Sequence, residues 1–417
     1  MVIQNDARRL SDAWRDHLNL RTLLEDPLRR LGGTETQIDI VALGKASRAT
    51  AACALSVLEE RVGRTFVVTG EASPDDATSS ASIVVGEHPT PGEGSLEAGR
   101  QLLAFLDDAS DATCTLFLVS GGASSLCALP QAPLTLDDLS TIWSSALATG
   151  MDITALNQLR AATSQIAGGA VLRHVRTPRS LTLLMVDNVV SGAPWVASGL
   201  TYDYRPSLDD VRRLIEVFTL TGDVADRILS AFHVRTQAVS TDAAVAHENV
   251  VVAEPALILS RTIEVARSLG YRVIDLGAAI HGDVHDVTER FAYSLRSAVS
   301  TGERVCVLGV GEVTVRIRGA GVGGRCQEMA WLMAKVLSTF EREAVFVARA
   351  TDGQDFVRGV SGGWVDSSTL ARCADHGVDW TDVAHSNDSY HGLHALGQLF
   401  PGEPTGWNLC DLYFALI

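Results

Sequence analysis

Ile38-Asp39-Ile40-Val41-Ala42-Leu43-Gly44-Lys45-Ala46-Ser47 is a short, largely apolar run that turns at a glycine into residues of helical character. A run of this length, rich in Val, Ile and Leu and stopped by Gly, reads as a strand buried on both faces. The same pattern recurs along the chain. Strands are predicted over residues 38–43, 66–68, 83–85, 115–119, 181–186, 250–253, 272–276, 305–310, 313–318 and 345–348. Helices are predicted over 6–31, 47–61, 95–107, 136–149, 154–175, 208–218, 224–232, 256–269, 283–300, 325–339 and 388–399. Continuous apolar strands alternating with helices indicate parallel sheets in a doubly wound α/β fold.

With 417 residues the chain is too long for one ordinary domain. The polar, weakly patterned stretch 234–249 is the expected boundary, giving domains 1–235 and 236–417. The 46% hydrophobic content and mean hydropathy of +0.15 supply ample core. A formal charge of −16 argues against a nucleic-acid surface, which needs a basic stripe. The uncharged stretch 112–136 is broken by Gly121-Gly122 and Pro130, so no membrane span is expected. Seven scattered cysteines without a CxxC pair, and an N-terminus without an apolar leader, fit a reduced cytoplasmic protein.

Every cationic side chain is arginine except Lys45 and Lys335. A retained lysine, a compact point charge on a flexible stem, is therefore a chemical clue. At the carboxyl end of a parallel strand, Gly44 and Lys45 would face an anion beside a helix N-terminus. A second strand runs into Ser120-Gly121-Gly122-Ala123-Ser124, where glycines permit close approach and hydroxyls offer hydrogen bonds. The third motif is Gly319-Ala320-Gly321-Val322-Gly323-Gly324-Arg325, with four glycines in six positions before the arginine. Such a loop can present a nest of N–H groups to phosphate, with Arg325 as a bidentate grip. It is not a GxxxxGK[ST] phosphate loop. Asp187, Asp352 and Asp355 follow strands, where carboxylates hold Mg²⁺, accept a proton or simply cap a helix. Glu312 lies beside Gly309 and Gly311, as a cofactor contact or a strand-edge carboxylate. His281 and His285 read as an exposed helix face.

In this order along one chain, the motifs resemble the glycerate 2-kinases with a C-terminal MOFRL domain. The likeness runs through VALGKAS, GEHPTPGEGSLEAGRQLL, LVSGGASSLCALP, VASGLTYD, GEVTVRIRGAGVGGRCQE, TDGQD and PTGWNLCDL. It implies a Rossmann-like N-terminal domain, a MOFRL α/β domain, an active site in the interdomain cleft, ATP and Mg²⁺ as cofactors, and a small hydroxy acid as acceptor. It is compatible with a homodimer. By this resemblance Lys45 and Arg325 line the cleft and are catalytic; under the kinase reading Asp187 and Asp352 are catalytic as well, Gly44, Ser120, Gly121, Gly122, Ser124, Gly319, Gly321, Gly323, Gly324 and Glu312 bind the nucleotide, Arg160, Ser164 and Asn408 meet the acceptor, and Asp352 and Asp355 hold metal.

The family helix of the type R-K-H-L-S-x-I-K-G-G is here Arg160-Ala161-Ala162-Thr163-Ser164-Gln165-Ile166-Ala167-Gly168-Gly169. Its loop of the type S-D-V-x-G-D is here Asp187-Asn188-Val189-Val190-Ser191-Gly192. The loss of cationic and His side chains at 161, 162 and 167 implies an acceptor other than plain D-glycerate, with Trp195 and Trp407 as apolar surface and Arg160 or Arg318 as substitute cations. Two alternatives are a catalytically altered member that binds nucleotide or a specialised metabolite, and an NAD(P)-dependent reductase of the hydroxypyruvate type. The latter lacks GxGxxG after the first strand.

Overall fold

The computed structural model describes residues 2–15, 19–31, 37–150, 153–187, 192–237, 245–299 and 302–417. Asn188 to Ser191 and much of the expected 234–249 boundary lie outside the described residues. The chain folds as two compact units. One is Leu20–Val186 with Val190–Ala253, and the other is Met1–Asn19 and Asp187–Val189 with Glu254–Ile417.

The first unit holds β1 (Ile38–Leu43), β2 (Val62–Thr69), β3 (Ser82–Val85), β4 (Cys114–Val119), β5 (Arg179–Met185) and β6 (Ala246–Ala253). They form one sheet in the order β3-β2-β1-β4-β5-β6, every pair parallel. The alternation of β1 explains its unbroken apolarity. Val41 and Leu43 pack with Phe117, Val119 and Leu102 on one face. Ile38, Ile40 and Ala42 pack with Leu116, Leu118, Leu28 and Ala54 on the other. Helices such as Leu20–Arg29 and Ser47–Leu58 cover one face and Glu93–Asp107 the other, so both sides demand apolar residues.

The second unit contains β7 (Arg272–Asp275), β8 (Ile280–Asp283), β9 (Val305–Thr314), β10 (Val345–Ala350), β11 (Val360–Asp366), β12 (Leu399–Pro401) and β13 (Asp411–Leu416). Its sheet order is β12-β11-β10-β13-β9-β7, with β8 also on β9. This sheet is mixed, correcting the expectation of parallel sheets throughout. β13 lies antiparallel between β9 and β10, and β11 and β12 continue the antiparallel side.

Several boundaries differ from the sequence reading. Residues 6–31 form two helices, Val2–Asp12 and Leu20–Arg29. The first belongs to the second unit: Asp12 and Ser11 meet the buried Arg349, and Asp6 accepts from Tyr271 and Arg304. The unit boundary thus falls after β6 and not at 235, because β6 completes the parallel sheet by pairing with β5. The helix expected over 154–175 is Ile153–Thr163 followed by a short 3₁₀ turn, Ala170–His174. Gly168 and Gly169, at φ of 58° and 76°, interrupt it. The two strands expected at 305–310 and 313–318 are one strand ending at Thr314. His281 sits in β8 and His285 at the start of the following helix, so they do not share the helix face expected of them. All seven cysteines are free, and among the described residues no helix is long and apolar enough to cross a membrane.

Candidate functional site

In the parallel unit, strand order reverses between β1 and β4. Chain connections leave these two strands in opposite directions, which opens a crevice at their carboxyl ends. Lys45 follows β1 and Ser120 follows β4. The two turns are locked together: Lys45 N–H donates to Gly121 O at 2.9 Å, Ala46 N–H to Ser120 Oγ at 3.0 Å, and Ser120 N–H to Leu43 O at 3.0 Å. Gly44 is required here on two counts. Its φ is +112°, and a Cβ would lie 2.5 Å from both Ser120 O and Ser120 Oγ.

The Lys45 side chain is exposed, and among the described residues it has no carboxylate partner. Lys335 by contrast lies 5.1 Å over the ring of Trp380, so only Lys45 stands unexplained by structure. A Cβ on Gly122, at φ +82°, would meet Lys45 Cγ at 3.1 Å and His88 Cδ2 at 3.3 Å, so the glycine lets lysine and histidine close on the loop. Desolvation, with Lys45 and Arg160 nearby, pushes the His88 pKa below its ordinary value. Lys45, Arg48, Gly70, Glu71 and His88 border an open crevice with about 1600 Å³ of empty space. Ser124 hydrogen-bonds Ser198 at 2.8 Å, and Ser198 donates to Asn157 Oδ1 at 3.0 Å.

Ser124 also borders a second, largely apolar pocket, partly open to solvent, which Arg160, Ser164 and Ala167 line. Ser164 is committed locally, its Oγ donating to Leu129 O and accepting from Ile166 and Ala167 N–H. Of the three alanines that replace the family's polar side chains, only Ala167 lines this pocket. Ala161 and Ala162 are fully buried in the helix packing. The expected apolar surface from Trp407 is corrected, since it packs against Trp14 at 5.4 Å with 6% exposure, whereas Trp195 packs edge-on against Tyr204 at 5.0 Å and stays half-buried.

In the mixed unit, Arg325 opens the helix Arg325–Leu337 and its fork is already occupied. Nε and Nη2 donate to Asp411, and Nη2 reaches Glu312 Oε1 at 2.7 Å. Asp411 starts β13 opposite Gly311 of β9, which brings it beside Glu312. Tyr413 also donates to Asp411, at 2.8 Å. Desolvation raises the Glu312 pKa. Arg325 opposes that rise, while Asp411 and Asp187 add to it. Asn408 also hydrogen-bonds Glu312. Neither Asp411 nor Tyr413 is marked out as functional by its local sequence, although Asp411 lies within the stretch PTGWNLCDL.

The glycine loop before Arg325 differs from the expected open nest. Arg318 N–H donates to Asn387 Oδ1 at 2.7 Å, Gly321 N–H to Ser386 O at 2.9 Å, and Val322 N–H to Asp388 Oδ1 at 2.8 Å. These donors are satisfied by the protein itself. A Cβ at Gly319 would lie 2.5 Å from Ser386 Cα, at Gly323 2.2 Å from Ser389 Oγ, and at Gly324 2.1 Å from Asp355 Oδ1. Those glycines serve close backbone packing. Asp355 is likewise a structural cap, accepting from Cys326 N–H, Gln327 N–H and Gln327 Nε2. Asp352 Oδ1 accepts from Gln354 N–H two residues on, at 2.9 Å. Among the described residues, no three His, Cys, Asp or Glu side chains converge on a metal position.

Residues 7–233 match the family described as "Domain of unknown function (DUF4147)", and residues 305–411 match the MOFRL family. The chain belongs to the glycerate kinase (MOFRL) family. Within this family, the D-glycerate 2-kinase of Thermotoga maritima is 26% identical, over 91% of each chain. A protein of Agrobacterium vitis with the provisional name hydroxypyruvate reductase is 30% identical, over 91% of this chain and 86% of its own. The crystal structure of glycerate kinase from Thermotoga maritima superposes with a TM-score of 0.86 over 99% of each chain, at 24% identity. The two-domain α/β architecture expected from the sequence is the one this family member has.

Proposed function

We propose that this protein is a kinase that transfers a phosphoryl group from ATP to a hydroxyl of glycerate or a related small hydroxylated metabolite. The observation that carries the reading is Lys45, an exposed cation with no described acidic partner, at the β1–β4 switch point. Family members named glycerate kinases support it. In the transfer, the acceptor oxygen forms a bond to the γ-phosphorus, the bond to the ADP oxygen breaks, and the hydroxyl proton leaves to a base. Such chemistry needs positioning and cationic stabilisation more than covalent help. Lys45 is assigned to the charge on the phosphate oxygens, and Asp352 or Asp187 to the hydroxyl proton.

Mg²⁺ takes oxygen ligands, commonly one or two carboxylates, with phosphate and water supplying the rest. Asp355 does not fit this part, because its oxygens already serve the helix N-terminus. Glu312 and Asp187 fit better. The Asp187 charge raises the cost of charge on Glu312, a cost that a cation relieves. When bound, Mg²⁺ would neutralise developing phosphate charge. Arg325 is assigned to holding Glu312 and Asp411 in place.

The reductase reading finds support in the strand order β3-β2-β1-β4-β5-β6 and in the name of the Agrobacterium relative. Against it stands the turn Gly44-Lys45-Ala46-Ser47, which lacks the glycines that admit a dinucleotide pyrophosphate. ADP release with a panel of hydroxy acids tests the kinase reading. Turnover on glycerate or a congener is expected. Absence of turnover on all of them, together with absence of ATP binding, overturns it, and tight binding of NADH seen by fluorescence would put the reductase in its place.

A further inference from the structure

The loop between β10 and β11 holds an aromatic ring out in solvent on a strained backbone. Phe356 is 76% exposed, with φ at +60°. Val357 N–H donates to Asp355 O at 2.7 Å, closing a three-residue turn around it. With positive φ at its centre, such a turn is the rare, strained form. A bulky residue persists there only where its surroundings over-determine the conformation. They do so here. Asp355 N–H donates to Val360 O at 2.7 Å, Gly402 N–H to Gly359 O at 2.9 Å and Thr405 N–H to Asp352 O at 3.0 Å, which ties the loop at both ends. The Asp355 carboxylate is fixed to the first turn of the helix Arg325–Leu337 through Cys326 and Gln327 N–H. Burial raises the Asp355 pKa and the charge of Asp411 adds to it, so the loop stands within electrostatic reach of the Arg325, Glu312 and Asp411 cluster.

Among the described Phe, Trp and Tyr side chains, only Tyr293 is also exposed, and it lies in the middle of the helix Val284–Val299. Gln354 and Arg358, two residues to either side of Phe356, are exposed with it. A free π-face with an amide and a guanidinium close by in the chain suits a purine nucleotide, whose base offers a π-face and a hydrogen-bonding edge and whose phosphates are anionic. We propose that Phe356 is the stacking platform for the purine base of the nucleotide, which puts a base-binding subsite on the β10–β11 loop. The inference rests on the kinase reading for the identity of the ligand and goes beyond it in giving the base a site. Strain and exposure, both unfavourable in the free protein, are then offset on binding by the stacked ring.

The test is calorimetric titration of the full chain, with Mg²⁺ present, by ATP and by inorganic tripolyphosphate, which has the phosphates without the base. Phe356→Gly accepts the positive φ without strain, so it should unfold at the wild-type temperature or above. Its affinity for ATP should fall about 5- to 150-fold, the range for losing one base–aromatic stack, while its affinity for tripolyphosphate stays as in wild type. Phe356→Trp keeps an aromatic face and should bind ATP at least as tightly as wild type. An ATP affinity in Phe356→Gly within twofold of wild type, or an equal loss for tripolyphosphate, would overturn the proposal. So would a fall in its unfolding temperature of more than about 5 °C, which would show that the ring serves packing. Phosphoryl transfer is read separately. Base-dependent binding without ADP release on any hydroxy acid would uphold the platform and count against the kinase, whereas ADP release with ATP affinity unchanged in Phe356→Gly would do the reverse.

Discussion

Replacing Arg325 by Met should cost more stability than the loss of any exposed ion pair, because it strands a buried carboxylate. The Asp411 side chain is 1% exposed and accepts two hydrogen bonds from Arg325, whose own side chain is 33% exposed. Without the guanidinium, Asp411 retains the Tyr413 hydroxyl and faces Glu312, a second acid, with no cation between them. Breaking a buried pair by removing one partner typically costs about 3–5 kcal/mol. Partial exposure of Arg325 and Glu312 admits water, which places the expectation near the lower end, about 3 kcal/mol. For a domain of this size, that is a fall in Tm of about 6–12 °C. Differential scanning calorimetry at pH 7 measures it. Asp411→Asn in the Arg325→Met background should recover about 2 kcal/mol relative to additivity, since it removes the stranded charge. A loss below about 1 kcal/mol in Arg325→Met, or strict additivity in the double variant, would refute this account of the cluster.

Gly44→Ala should destabilise by about 3 kcal/mol or more, since it combines an unfavourable φ of +112° with a Cβ 2.5 Å from Ser120 O. Gly150→Ala, at φ +62° with open space around it, should cost only about 1 kcal/mol. Equal thermal shifts for the two would contradict the packing argument. His88→Gln should flatten the acid side of the stability profile. The folded-state pKa of His88 lies below the unfolded value, so the unfolded chain binds the extra proton first. Stability from this group is therefore full above about pH 6.5 and is lost as pH falls toward the folded pKa. Thermal unfolding of wild type and variant between pH 5 and 8 checks the sign, and a steeper acid decline in the variant would reverse it.

The first unit was legible because its central strands are covered on both faces, so β1 and β4 appear as continuous apolar runs that end at glycines. The turns after them carried Lys45 and Ser120, and the structure does bring those two turns together. The second unit was harder to read. β11 contains Gly362 and Gly363 and β12 spans only Leu399–Pro401, so neither shows the β-branched run that marks a strand. The glycines at 319–324 carry the same sequence signature whether they open toward an anion or close against backbone. What decides between them is the partner segment Ser386–Asp388, remote in sequence. Asp355 presents the same ambiguity, since a carboxylate after a strand can be a ligand or a helix cap. The pairing of Arg325 with Asp411 depends on β13 entering between β9 and β10, a topology that no local pattern encodes.

The central claim is that Lys45 at the β1–β4 switch point stabilises a transferring phosphoryl group, and the most direct measurement is the rate of ADP formation by wild type and Lys45→Met with ATP, Mg²⁺ and the best acceptor from the hydroxy-acid panel. The Lys45 side chain is exposed, so Lys45→Met should unfold at the wild-type temperature. The account predicts that kcat falls at least about 100-fold, the usual scale for removing a charge that acts in the transition state. A Lys45→Met protein that folds normally and retains kcat within threefold of wild type would contradict it.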